Sequence, residues 1–237
     1  MFRLSESMKR VLTLAIGLVL LLACVGTVAA GTDINLLSNA GFEKPVVQDP
    51  RSWDWYNDGT SGLDWHVERG IGAQADIEPV VEIQTESAIG HIPYEGKQFI
   101  ELDSHANVNI LQSFQTENGA TYRISYAQSC RENDPYLPST IGVFVNDKEI
   151  LTTSEGMKTT NGCKDWQVHT VDFTGDGREV TLKFAGEGIS DQYGPLLDGA
   201  EVTDPVIPSP EFPSAFLPAT FIIGFIGVIF LIQRTRN

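Results

Sequence analysis

Short runs of alternating apolar and polar residues recur from residue 34 to residue 202, separated by turn residues. The alternation is cleanest in Tyr122-Arg123-Ile124-Ser125-Tyr126 and Val180-Thr181-Leu182-Lys183-Phe184. A period of two turns one side of a strand toward a core and the other toward water. Strands are predicted at Ile34–Leu37, Trp65–Glu68, Val80–Gln84, Gln98–Leu102, Asn109–Phe114, Thr121–Gln128, Ile141–Val145, Trp166–Phe173, Glu179–Ala185 and Leu196–Val202. Glu117-Asn118-Gly119, Asn146-Asp147-Lys148 and Gly175-Asp176-Gly177 are turn signals between them. No stretch of period 3.6 is long enough to predict a substantial helix here. Many short antiparallel strands at this spacing predict an all-β domain over residues 31–203, a sandwich or jelly roll.

The two ends break the pattern. Arg3, Lys9 and Arg10 precede an almost unbroken apolar run from Val11 to Val28, and Val28-Ala29-Ala30 offers small residues for cleavage before Gly31. Residues 1–30 therefore read as a signal peptide. A retained anchor stays open, as does lipidation of Cys24, because Leu21-Leu22-Ala23-Cys24 resembles a lipobox. Residues 204–213 form a Pro-rich spacer, and residues 214–237 read as a transmembrane helix and basic tail. Phe216 to Ile232 carries no charge, and Arg234 and Arg236 follow it, where the positive-inside rule wants them. A run of that length spans about 25 Å as a helix, slightly under a hydrocarbon core of about 30 Å.

Pro210-Glu211-Phe212, then Pro213, a short apolar helix and a basic end, resemble a PEF-CTERM sorting signal of archaeal surface proteins. The resemblance implies a membrane helix before processing, and an archaeosortase-type transpeptidase as the partner that cuts near the motif. A plain single-pass anchor is the other reading of the same segment.

The whole chain of 237 residues has 16 Lys+Arg against 31 Asp+Glu, a formal net charge of −15. Both ends are net basic, so the exported middle is more acidic than the whole. Such a charge argues against nucleic acid as a partner. It fits a surface adapted to a salty exterior. Cys130 and Cys163 are the only cysteines of the exported part, and an even pair outside the cell predicts a disulfide.

Asn35-Leu36-Leu37-Ser38-Asn39-Ala40-Gly41-Phe42-Glu43 resembles the opening of galactose-binding-like β-sandwiches, which include many carbohydrate-binding modules. Gly96 to Asn107, with Glu101-Leu102-Asp103-Ser104-His105-Ala106-Asn107 at its end, is similar to a segment of secreted PEP-CTERM proteins of that superfamily. Gln112, Thr116, Gly119-Ala120-Thr121-Tyr122, the strand from Trp166 and the closing Leu196-Leu197-Asp198-Gly199-Ala200-Glu201-Val202 follow in the expected order. The resemblance implies a galactose-binding-like jelly roll and a structural calcium (Ca2+) site made by Glu43 and Asp198. Gly199 stands where such proteins often carry a second polar residue.

Trp53-Asp54-Trp55-Tyr56 lies in a polar, Gly-rich stretch. Aromatic faces stack on pyranose rings while Asp and Asn bind hydroxyls, so Trp53, Trp55 and Tyr56 are candidates for a sugar platform. Core packing of at least one of them is the alternative. His105 and Asn107, with Asp103, are candidates to line a polar site; a turn satisfied by its own side chains is the alternative. Trp65 and Trp166 fall within predicted strands and are expected in the core. There is no G-x-S-x-G elbow, no HExxH and no phosphate-binding Gly loop. These features together predict an exported, cell-surface, non-catalytic module that binds carbohydrate. The alternatives are a structural or adhesion protein with protein partners only, and a glycan-cleaving enzyme.

Overall fold

The structure is a computed structural model that describes residues 34–48, 50–131, 138–156, 163 and 165–203. The leader, the PEF motif (Pro210, Glu211, Phe212) and the C-terminal apolar run lie outside the described residues. No helix among the described residues is long and apolar enough to cross a membrane.

The strands are β1 (Trp53–Asn57), β2 (His66–Arg69), β3 (Val80–Thr85), β4 (Gln98–Glu101), β5 (Val108–Gln115), β6 (Thr121–Ser129), β7 (Ser139–Val145), β8 (Lys148–Glu155), β9 (Gln167–Thr174), β10 (Glu179–Glu187) and β11 (Leu196–Thr203). A single helical turn, α1 (Glu86–Ile89), follows β3. Two antiparallel sheets result, one ordered β1-β3-β4-β11-β6-β9 and the other β2-β5-β10-β7-β8. The expected all-β sandwich is what the chain forms.

The core lies between the sheets. Val81, Ile83, Ile100, Ile124, Tyr126 and Leu197 come from the six-stranded sheet, and Val67, Ile110, Ile141, Val143, Leu182 and Phe184 from the five-stranded one. Each is buried, and full burial of such a side chain stabilises by about 1.5–3 kcal/mol. Trp65 plugs one end as expected, with its ring 5.6 Å from Phe42 and 6.1 Å from Phe184 and its Nε1–H donating to Asn39 O.

The predicted strand Ile34–Leu37 shrinks to one bridge, Asn35 with Thr203. Polar side chains fasten this segment instead. Asn35 Nδ2 donates to Ala200 O, and Asn35 Oδ1 accepts from Val202 N and Leu37 N. Asn39, in the left-handed region at φ 47°, ties Lys44 and Leu63 to itself through its amide. Two strands escaped the sequence pattern. β1 reads as loop because Trp53, Trp55 and Tyr56 put aromatics on both faces. β8 is an edge strand with only Ile150 and Leu151 apolar. Its turn, Asn146-Asp147 with φ 51° and 61°, was visible as a turn signal.

Cys130 and Cys163 form a disulfide, Cα atoms 4.8 Å apart. Cys130 directly follows β6, so the bond holds the end of that strand, and with it Arg131.

Candidate functional site

The strand register decides which side chains share the outer face of the six-stranded sheet. Trp53 pairs with Gln84 and Trp55 with Glu82. Glu82 in turn pairs with Glu101, and Gln84 with Phe99. Because Val81, Ile83 and Ile100 point into the core, their sequence neighbours Glu82, Gln84 and Glu101 point out. These three polar residues are nonetheless buried, since loops and aromatic rings cover them.

They form one hydrogen-bonded network. Trp55 Nε1–H donates to Glu82 Oε2 at 2.8 Å. Gln84 Nε2 donates to Glu82 Oε1 at 2.7 Å and also to Glu101 Oε2. Arg131 Nη1 reaches both Glu101 oxygens, at 3.1 and 3.0 Å, and Gln192 O. Gly194 N–H donates to Glu101 Oε1 at 2.8 Å. Burial pushes the Glu101 carboxyl up to about 8, against the pull of the Arg131 charge. Burial also raises Glu82, opposed by the hydrogen bond from Trp55.

Aromatic side chains flank this floor. Trp55 is 40% exposed and has His105 edge-on to its ring at 4.0 Å. Trp53 lies 5.0 Å from Trp55 and has the Arg51 guanidinium 4.4 Å over its ring. On the far side Tyr193, 39% exposed, takes the Arg131 guanidinium at 5.0 Å. Trp55 is thus held by a buried carboxylate and buttressed by two rings. Fixing a ring before a ligand arrives lowers the ordering cost of binding.

Trp53, Trp55 and His105 are brought together. Tyr56 is not: its register partner is Val81, and its ring packs against the core. Asn107 is 2% exposed, and its Nδ2 donates to Ile71 O and Gly188 O, so it fastens loops together. Asp103, also buried, accepts from the N–H groups of Asp191 and Gln192. Trp166 is a correction as well. It precedes β9 on the outer face, edge-on to His91 and Phe99, with Nε1–H donating to Ile92 O.

Glu43 and Asp198, the residues expected to hold calcium, each accept backbone N–H groups. Glu43 Oε1 accepts the N–H groups of Lys97 and Gln98. Asp198 accepts those of Glu95, Gly199 and Tyr94. Both carboxylates thus fasten the segment 94–98 through backbone donors. Gly96, at φ +60°, leaves room for Glu43 against its backbone. Among the described residues, no group of three or more His, Cys, Asp or Glu could hold a metal.

The sequence reading missed Glu82, Gln84, Glu101, Arg131 and Tyr193. The signal for the first three was present: polar residues at alternate positions of apolar strands. Arg131 and Tyr193 come from loops, where no periodicity marks them.

Glu101 is fully buried and its oxygens are engaged by four donor contacts, so it cannot reach a substrate proton.

A family described as "Protein of unknown function (DUF642)" matches residues 35–203. Among solved structures, a CBM35 from Paenibacillus barcinonensis is 14% identical, covering 64% of this chain and 98% of that one, with a TM-score of 0.38. TmCBM61 in complex with beta-1,4-galactotriose is 15% identical, covering 71% and 97%, with a TM-score of 0.43. A family 35 carbohydrate binding module from Clostridium thermocellum is 12% identical, covering 64% and 97%, with a TM-score of 0.38. No curated protein matches the chain in sequence.

Proposed function

We propose that this chain, which belongs to the DUF642 family, is a non-catalytic module that binds carbohydrate of a cell envelope or extracellular matrix. One observation carries the reading. A 40% exposed indole, Trp55, is locked by its own Nε1–H to Glu82, beside His105, at the rim of a buried polar network. Pyranose recognition asks for that combination: an apolar ring face to stack on and oriented acceptors for hydroxyls. Trp53 buttresses the platform, and Tyr193 offers a second aromatic surface beyond the polar floor.

The two ends support the rest of the proposal. The leader of residues 1–30 sends the chain out of the cell. The Pro210-Glu211-Phe212 motif, apolar helix and basic tail hand it to an archaeosortase-type transpeptidase, which leaves the module on the surface.

A glycan array probed with the full-length protein tests the binding reading. A reproducible hit, competed by the free glycan and lost in Trp55→Ala with an unchanged melting temperature, is the expected result. No hit from folded protein would move the function to protein partners only. Mass spectrometry of the cell-surface protein tests the processing: an intact terminus through Asn237 contradicts it.

A further inference from the structure

We infer that the site selects uncharged glycans and rejects their uronate counterparts, with Glu82 the residue that sets the discrimination. The inference rests on the carbohydrate reading above and adds the chemical class of the ligand.

The hydrogen-bond inventory of the network carries it. Gln84 Nε2 has two hydrogens, and they go to Glu82 Oε1 and Glu101 Oε2. Trp55 Nε1 has one, and it goes to Glu82 Oε2. Arg131 Nη1 is directed at Glu101 and Gln192 O. The acceptors are in surplus. Each Glu82 oxygen receives one donor and has a lone-pair site left. Among the described residues, Gln84 Oε1, fully buried between the Trp53 and Phe99 positions, has no donor, and neither does Asp103 Oδ1 at the neighbouring loop. Of these acceptors Glu82, 8% exposed, is the one a ligand can approach, and its spare lone-pair sites ask for O–H donors.

Charge points the same way. Glu82 lies behind Trp55, bonded to its indole, and the Arg131 guanidinium is already engaged by Glu101 and Gln192 O. A hydroxymethyl or ring hydroxyl can donate to Glu82. A carboxylate in its place brings two more acceptors and a like charge to a poorly solvated carboxylate, and unpaired charges there are costly.

The test uses the full-length protein and three soluble polysaccharides, β-1,4-galactan, glucomannan and laminarin, each native and after oxidation of C6 to the uronate. Affinity is read by titration calorimetry at neutral pH in 0.1 M and in 1 M sodium chloride. The expected result is binding to at least one native polymer, at least tenfold weaker for its oxidised form at both salt concentrations. At 1 M salt the screening length is about 3 Å, so the protein's overall acidity is screened out and the discrimination that persists belongs to the site. In Glu82→Gln the gap narrows to about threefold or less. Equal or tighter binding of an oxidised polymer, a gap that vanishes at 1 M salt, or a gap unchanged in Glu82→Gln overturns the selectivity while leaving carbohydrate binding intact. No binding to any polymer, native or oxidised, overturns the carbohydrate reading itself, and the selectivity with it.

Discussion

Glu82 and Glu101 face each other as register partners on adjacent strands, and the amide nitrogen of Gln84 donates to both. Two carboxylates on one buried face repel, and the Arg131 guanidinium is the counter-charge in contact with Glu101. The arrangement puts negative charge and spare acceptors under an exposed tryptophan, and it makes stability depend on protons.

Arg131→Ala should therefore destabilise the fold. Removing one partner of a buried ion pair costs about 3–5 kcal/mol. Arg131 keeps 27% of its side-chain exposure, which argues for the lower part of that range or slightly less, about 2–3 kcal/mol. The deficit should shrink at pH 5, where Glu101 takes up a proton and no longer needs a counter-charge. Urea denaturation of both proteins at pH 5 and pH 8 checks this; a deficit larger at pH 5 contradicts it.

The wild-type protein should lose stability as pH rises. Burial pushes Glu101 up to about 8 and Asp198 up to about 7. Their unfolded values lie near those of free carboxyls, about 4. A raised carboxyl binds its proton more tightly in the folded chain, so its contribution is fully present below about pH 4 and fades as pH climbs through 7 and 8. The exposed Asp58, Asp147 and Asp172, lowered by a backbone N–H or a basic partner, oppose this only at acid pH. Melting temperature recorded from pH 5 to pH 8.5 should fall; a flat or rising profile over that window is the contrary result.

Reducing the Cys130–Cys163 disulfide should lower stability by roughly 3–4 kcal/mol in the chain-entropy model for a loop of this length. It should also loosen Arg131, the next residue. Guanidinium melts with and without reductant give the first number. A change in the Tyr193 fluorescence environment on reduction reports the second.

Chelation should leave the melting temperature unmoved, because one Glu43 oxygen and both Asp198 oxygens are engaged by backbone N–H groups. Glu43→Ala should cost about 1–3 kcal/mol whether calcium is present or not, since two N–H groups lose their acceptor. A calcium-dependent loss would restore the metal reading.

Much of the sandwich was legible because nine of the ten predicted strands form, each marked by period-two alternation or a short apolar run between turn signals. Two of the misses share a cause. In β1, Trp53, Trp55 and Tyr56 place aromatics on both faces, because the outer face is itself lined with rings. Trp166 looked like core for the same reason: an apolar residue at a strand start gives its parity but not its face. Within the site, Trp53, Trp55 and His105 were recognisable by chemistry. Glu82, Gln84 and Glu101 needed the register, which only the paired strands supply. Asn107 and the Glu43/Asp198 pair were recognisable as polar positions of consequence, but their partners are backbone groups, which sequence does not reveal.

The most direct test of the central claim uses the indole N–H resonances of the four tryptophans. Titrating the protein with a glycan from the array should shift the Trp55 Nε1–H signal, whose hydrogen bond to Glu82 lies at the site. The Trp65 signal, bonded to Asn39 O in the core away from it, should stay in place. Saturable binding that leaves Trp55 unmoved, or that shifts Trp65 instead, would contradict the account.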